Sequence, residues 1–322
     1  MCLKVAVHCR MLSLALGLFM MACTSPEPKV APRDTGPFER PIPPPTIIAE
    51  NPPRLVGIGD VHGDFRMAKK VLRMANVTDG NNQWDAGDTL VVQVGDQTDR
   101  GEQDRKILDF YEDLSEQAFK AGGGFYPLLG NHEVMNVEMD FRYVSEESFA
   151  EFADIEWDSD DAFYDDFEEE EKGRAAAFRP GGPYATLLAG HNAVMVVGDT
   201  VFVHGGLDPE HVAFGLKKIN TQTQKWMNDS RRMPAEPISD GDGPLWTRIY
   251  SDDDTAEPDC VTLEETLDLI PAKRMVVAHT IQDVPNAACG GKVWRVDVGM
   301  SGYYGGDPAA IEIIDDEVVV LE

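Results

Sequence analysis

In the first half of the chain, apolar runs at residues 54–58, 89–94 and 125–129 alternate with segments of helical period at 65–75 and 103–121. Short apolar runs bounded by Gly and Asp suit buried strands. The longer segments gather their apolar residues on one helix face. The pattern then changes. Residues 193–197 and 201–204 flank Gly198-Asp199-Thr200, and 310–314 and 318–321 flank Asp315-Asp316, both hairpin signals. A helical stretch covers 208–228. Another is predicted over 262–269, where Thr262 and Glu265 form a capping-box pattern, and further apolar runs occupy 275–277 and 293–298. Strands that alternate with helices first and form hairpins later predict an α/β domain of two mixed sheets packed face to face. Residues 54–322 are enough for one such domain with a substantial core.

Five of these runs stop on residues that bind metal or phosphate. Asp60 and His62 follow the first in Gly59-Asp60-Val61-His62-Gly63-Asp64. Asp96, Asp99 and Arg100 follow the second in Gly95-Asp96-Gln97-Thr98-Asp99-Arg100-Gly101. Asn131 and His132 follow the third in Gly130-Asn131-His132-Glu133, His204 follows residues 200–203, and His279 follows 275–277. A buried strand that ends on such a residue delivers it to the sheet's carboxyl edge, where α/β proteins build their sites. Taken singly, these residues have ordinary uses. Asp60 and Asp96 read as helix N-caps, Asn131 as a left-handed turn residue, His204 and His279 as core histidines, and Arg248 as a surface ion-pair partner. Together, the five strand ends point to one metal centre.

The residue types suit that chemistry. Oxygen ligands mixed with imidazole favour Mn, Fe, Zn, Co or Ni and suit Ca poorly. Asp60, His62 and Asp96 form one ligand set, and Asp96, Asn131, His204 and His279 a second, with Asp96 shared. Two ions about 3.5–4 Å apart would activate a bridging water or hydroxide and clamp an in-line displacement at phosphorus. His132, one residue beyond a ligand, is placed to protonate a leaving oxygen, with Asp99 orienting it. Arg100 supplies a planar fork that matches phosphate.

In this order the motifs resemble those of the calcineurin-like metallophosphoesterases. Asp99-Arg100-Gly101 and Glu133 narrow the resemblance to the phosphoprotein phosphatase branch, which also contains the diadenosine tetraphosphate hydrolases. The segments 59–64 and 95–101, Pro244-Leu245-Trp246-Thr247-Arg248, and Val-Trp-Arg-Val-Asp-Val-Gly-Met-Ser at 293–301 look most like the Shewanella-like protein phosphatases. The resemblance runs from about residue 54 to the C-terminus. It implies a four-layer α/β/β/α sandwich and two divalent ions (Mn, Fe or Zn) on Asp60, His62, Asp96, Asn131, His204 and His279. It also implies a His132–Asp99 acid pair, Arg100 and Arg248 as phosphate binders, and a Gly-rich loop that carries Tyr303 and Tyr304 over the site. Gln97-Thr98 replaces a more usual aliphatic pair, and Ala278 stands where Gly often precedes the last His, but neither removes a ligand. His191 and His211 match no motif and read as structural or solvent-exposed.

The ends carry a different message. Lys4 and Arg10 precede an apolar run at 11–21 that is too short to span a bilayer, and Ala22-Cys23 follows it. This resembles a lipoprotein signal covering 1–22, with Cys23 as the lipid-bearing N-terminus and an ordinary secretory signal as the plainer reading. Thr24 after the Cys resembles lipoproteins sent on to the periplasmic side of the outer membrane. Residues 23–53, rich in Pro, read as a polyproline II tether. Once the leader is removed, Cys260 and Cys289 remain besides Cys23, and in an oxidising compartment they would form a bridge.

The formal charge of −29 becomes −31 without Lys4 and Arg10. No basic stripe exists to release nucleic-acid counterions, so nucleic acid is excluded as a partner. Much of the acid lies in an insert at about 145–172, interleaved with Phe149, Phe152, Trp157, Phe163, Tyr164 and Phe167. A solvated face and a partly ordered helical cap beside the cleft are both open readings. The expected function is hydrolysis of phosphomonoesters, by resemblance on phosphoprotein Ser, Thr or Tyr. The core motifs are shared with hydrolases of dinucleoside polyphosphates and other small phosphoesters. A catalytically idle, partner-binding envelope lipoprotein would be expected to have lost ligands, and here all six positions and both acid-pair residues are present.

Overall fold

The computed structural model describes residues 42–252 and 255–322; the leader expected at 1–22, Cys23 and the first part of the tether lie outside the described residues. The first half contains β1 (Ile47–Ile48), β2 (Leu55–Ile58), α1 (Phe65–Met74), β3 (Leu90–Gln93), α2 (Asp104–Lys120), β4 (Gly124–Pro127), α3 (Asn131–Val137) and α4 (Glu146–Ala150). Next come α5 (Lys172–Phe178), α6 (Pro183–Leu188), β5 (Val194–Val197), β6 (Thr200–Val203), α7 (Pro209–Phe214) and α8 (Leu216–Met227). The chain closes with α9 (Glu257–Leu269), β7 (Arg274–Val277), β8 (Asn286–Ala288), β9 (Val293–Arg295), β10 (Ala310–Ile314) and β11 (Glu317–Leu321).

Two sheets form, in the orders β11-β10-β2-β3-β4 and β1-β5-β6-β7-β9-β8. Each contains a parallel triplet, β2-β3-β4 running to one edge of the first sheet and β6-β7-β9 inside the second, flanked by the antiparallel pairs β10-β11, β5-β6 and β8-β9. Every residue of β2 is buried because both its faces are covered. Val56 and Ile58 pack under α1 and α2 with Val71, Leu72, Ile107 and Leu114. Leu55 instead joins Val92, Met195, Phe202, Val276 and Ile311 between the sheets. On the far side, Val194, Val203 and Met275 pack under α6, α8 and α9. The layers are therefore α/β/β/α, as the resemblance implied.

Several local expectations are corrected. The helix expected over 208–228 is two helices, broken at Gly215, whose φ of 104° is open to glycine alone at little cost. The capping box read at Thr262 and Glu265 is not used: α9 starts five residues earlier, where the Ala256 N–H donates to the Asp259 carboxylate at 2.6 Å. Ile47–Ile48 pairs in parallel with β5, and Asn192 donates to the Pro44 and Pro45 carbonyls, so the end of the supposed tether covers an edge strand that would otherwise face solvent. Cys260 and Cys289 are disulfide-bonded, tying the first turn of α9 to the turn after β8. No helix among the described residues is long and apolar enough to cross a membrane.

Candidate active site

Each parallel triplet sends three polar side chains off its carboxyl ends. Asp60, Asp96 and Asn131 leave β2, β3 and β4, while His204, His279 and Asp297 leave β6, β7 and β9. Because the sheets are stacked, the two sets face each other. Positive φ at His62 (41°), Asp96 (51°) and His279 (67°) turns these side chains inward, a costly backbone choice for non-glycine residues and one typical of functional turns. The chains run too close at two points for any side chain. A Cβ on Gly130 would strike the Asp96 carboxylate and amide, and one on Gly59 would strike the Val296 carbonyl of the opposite sheet.

Asp96 lies at the centre. Its Oδ2 is 3.2 Å from His204 Nε2 and 3.7 Å from His62 Nε2. His204 Nε2 is in turn 3.0 Å from Asn131 Oδ1 and 3.1 Å from His279 Nδ1, and Asp60 Oδ2 is 3.8 Å from His62 Nε2. The other ring nitrogens are engaged: His62 Nδ1 lies 3.2 Å from the Thr98 carbonyl and His204 Nδ1 2.8 Å from that of Val94. These backbone acceptors hold each ring with Nε2 toward the centre, as outer partners of metal ligands do. All six sequence-read ligands thus meet around one point.

This donor set fits divalent metal. The Asp60 Oδ1 atom is buried with no hydrogen-bond partner among the described residues. Burial, then the Asp297 and Asp96 charges, hold the Asp60 carboxyl well above its ordinary value, a repulsion that a cation would relieve. Burial lowers His62 to about 4, and burial and His204 lower His279 to about 2, so both rings are neutral and free to coordinate. His62, Asp96 and His132 form one trio of suitable donors, and Asp96, His204 and His279 form another.

His132 differs from the rings around it. Its Nδ1 is 2.6 Å from Asp99 Oδ2, and its Nε2 faces the centre, 3.8 Å from Asp96 Oδ2. Burial works against its charge, but Asp96 and the Asp99 hydrogen bond outweigh it and hold the imidazole up at about 9. The structure therefore brings together the two residues read as an acid pair. Arg100 is held between the Tyr143 and Tyr303 rings, with its Cζ 3.7 and 5.2 Å from their centroids, and its buried Nε has no hydrogen-bond partner among the described residues. Arg248 donates to the His279 carbonyl at 2.6 Å and to Thr280 Oγ1 at 2.8 Å. Both arginines, His132 and Asn131 line a cavity of about 380 Å³ whose other walls include Tyr143, Trp246, Ile281 and Tyr304. Tyr304 packs on His62 at 5.3 Å, whereas Tyr303 touches Arg100 from outside.

The profile of the calcineurin-like phosphoesterases matches residues 53–282. The chain belongs to that family. This phosphoesterase is 40% identical over 303 residues to Shewanella-like protein phosphatase 2 of Arabidopsis thaliana, covering 84% of this chain and 77% of the relative. It is 28% identical over 257 residues to Shewanella-like protein phosphatase 1 of Plasmodium berghei, covering 77% and 67%. Among solved structures it shares its fold with a cold-active protein tyrosine phosphatase of a psychrophilic Shewanella species: TM-score 0.67, 24% identity, 86% and 82% covered.

The motifs did not reveal the layer that holds the phosphoesterase site in place. Glu133 is fully buried and accepts from the amides of Asp96, Gln97, Thr98 and Gly130 and from the Thr98 hydroxyl. Asp297, buried behind Asp60, was hidden inside the apolar run read at 293–298, and only the structure ends that strand at Arg295 and frees Asp297 for the site. Asn136, Arg174 and Asp104 gather behind Asp99, and only the folded chain brings them there. The acidic insert contributes nothing to the cavity wall. Its aromatics Trp157, Phe163, Tyr164 and Phe167 pack together and on Ala175 and Ala176, so it is an ordered buttress behind the acid pair and not a cap over the cleft. His191 pairs with Glu112, and His211 serves the N-terminus of α7, as structural residues do.

Proposed function

We propose that this phosphoesterase removes phosphate from phosphoprotein side chains, with phosphotyrosine as the best fit. The observation that carries the reading is the cavity. Arg100, whose buried Nε has no hydrogen-bond partner among the described residues, and Arg248 stand beside the His132–Asp99 pair, at the mouth of a ligand ring centred on Asp96. Asp60, His62 and Asp96 would hold one divalent ion (Mn, Fe or Zn) and Asp96, Asn131, His204 and His279 the other. Together the ions would supply Lewis-acid charge and an activated water.

The chain's own groups do the rest. The guanidinium forks of Arg100 and Arg248 bind phosphoryl oxygens and set the phosphorus in line. His132, held through Nδ1 by Asp99, keeps Nε2 on the side of the leaving oxygen and donates its proton as the ester bond breaks. Tyr143, Trp246 and Tyr304 give the cavity aromatic walls that suit a phenyl leaving group. The names of the Shewanella tyrosine phosphatase and of the Shewanella-like relatives support a phosphoprotein substrate.

The test is phosphate release by the purified protein, stripped and reloaded with Mn, Zn or Fe. Its substrates are p-nitrophenyl phosphate, phosphotyrosine, phosphoserine and phosphothreonine peptides, and diadenosine tetraphosphate. Metal-dependent release with phosphotyrosine ahead supports the proposal. Release from the dinucleotide alone moves the substrate to small phosphoesters, and a protein that binds no metal sinks it. Export rests on the leader pattern at 1–22, and lipidation at Cys23 on the Ala22-Cys23 junction. Radiolabelled palmitate that fails to label the wild-type chain more than a Cys23→Ala variant would reject the anchor.

A further inference from the structure

Arg174 opens the helical segment that follows the acidic insert, and it is 0% exposed. A guanidinium is taken fully out of water only where its donors are met. Here they are met by residues that converge on the acid pair. Nε donates to Asn136 Oδ1 at 2.8 Å, Nη1 to Ser148 Oγ at 2.8 Å, and Nη2 to Asp104 Oδ2 at 2.7 Å and to Asp99 Oδ1 at 3.3 Å. The Phe152 and Phe178 rings lie 5.0 and 4.9 Å from its Cζ. Asn136, held by Arg174, donates its own amide to the same Asp99 Oδ1 at 2.8 Å, and the Asp99 N–H donates to Asp104 Oδ1 at 3.0 Å. Asp99 is thereby held at three points, and its remaining oxygen, Oδ2, faces His132 Nδ1.

We propose that Arg174 is a positioning residue for proton transfer by His132: through Asp99, Asn136 and Asp104 it fixes the ring so that Nε2 stays on the leaving oxygen. It touches neither substrate nor the ligand ring. An arginine serving only as a fold-holding ion pair would be complete with Asp104 and Ser148; the contacts to Asp99 and Asn136 are what join it to the chemistry. The inference rests on the phosphatase reading, and it gives the insert a task, since Ser148 and Phe152 of that segment complete the Arg174 socket.

The test compares wild type with Arg174→Lys, which keeps a cation but cannot serve four acceptors at once. Substrates are aryl phosphates graded from a good leaving group (2,4-dinitrophenol) to a poor one (phenol), with metal content and KM measured throughout. The expected result is a loss in kcat of about 10–100-fold on the poor leaving group and little on the good one, with KM and metal content unchanged. On a His132→Ala background the same substitution should cost nothing further, because its target is already gone. A loss equal across leaving groups, an equal loss on the His132→Ala background, or a loss of metal would overturn the proposal. If Arg174→Lys does not fold, the Arg174→Met/Asp104→Asn pair, which strands no charge on Asp104, takes its place. Failure of both to fold makes Arg174 structural and overturns the proposal as well. A wild type inactive on every ester overturns the phosphatase reading itself, whereas an active wild type with a uniform loss overturns this inference alone.

Discussion

Glu133→Gln is nearly isosteric, yet the structure predicts a large effect. Glu133 Oε1 accepts from the Gln97 and Thr98 amides and the Thr98 hydroxyl at 2.9–3.1 Å, and Oε2 from the Asp96 and Gly130 amides at 2.9 and 2.8 Å. Burial pushes its carboxyl up to about 7, but five donors need lone pairs on both oxygens, so the loops are built around the carboxylate. Whichever way a Gln amide turns, its NH₂ meets at least two backbone N–H groups and leaves them unpaired. At about 1–3 kcal/mol for each buried donor, the cost is roughly 2–6 kcal/mol. For a domain of this size that is a fall in Tm of roughly 5–15 °C. The donors belong to the loops that carry Asp96 and Asn131, so metal affinity should also fall, by about 10–100-fold. Thermal unfolding of the metal-free protein and a metal titration, both at pH 8, measure the two effects. A Tm within about 2 °C of wild type with unchanged metal affinity would show that Glu133 sits there protonated, a form Gln mimics, and would refute the reasoning.

The ligand and acid roles separate by mutation: Asp96→Asn should lose metal and activity together, while His132→Ala should keep metal and lose about 10²–10⁴-fold in kcat, read by metal analysis beside turnover. His132 is held above its ordinary value of 6.5, at about 9, so the stability it contributes to the metal-free protein is fully present below about pH 6.5. It is lost as pH rises through 9. Relative to His132→Asn, wild type should therefore gain roughly 3 kcal/mol at pH 6 that disappears by pH 10 in denaturant titrations. Cys260→Ser/Cys289→Ser should cost roughly 3–4 kcal/mol, as expected for a loop of 29 residues, and dithiothreitol should destabilise wild type by a like amount while leaving the double variant unmoved.

By itself the sequence determined the strand ends and what stands on them. A short apolar run followed by Asp, Asn or His is a local pattern, and the side-chain chemistry of Asp60, Asp96, Asn131, His204 and His279 needs no fold to be read. The Asp315-Asp316 hairpin was legible for the same reason, since its two residues at positive φ (49° and 71°) answer a local backbone demand. Helix limits were less legible. The break at Gly215 and the early start of α9 rest on single residues, a glycine at positive φ and the Asp259 carboxylate on the Ala256 N–H, and apolar periodicity carries no information about either. Only the tertiary structure decided the support of the site. Asp99 meets Arg174 across 75 residues and Asp96 meets Glu133 across 37, and no local rule couples positions so far apart. Such contacts arise because parallel pairing of β3 with β4 brings the Asp96 and Glu133 loops to one edge, and α5 packs its Arg174 against that edge from a distant part of the chain. Polar groups buried there must be paired, and the nearest partner in space is seldom near in sequence.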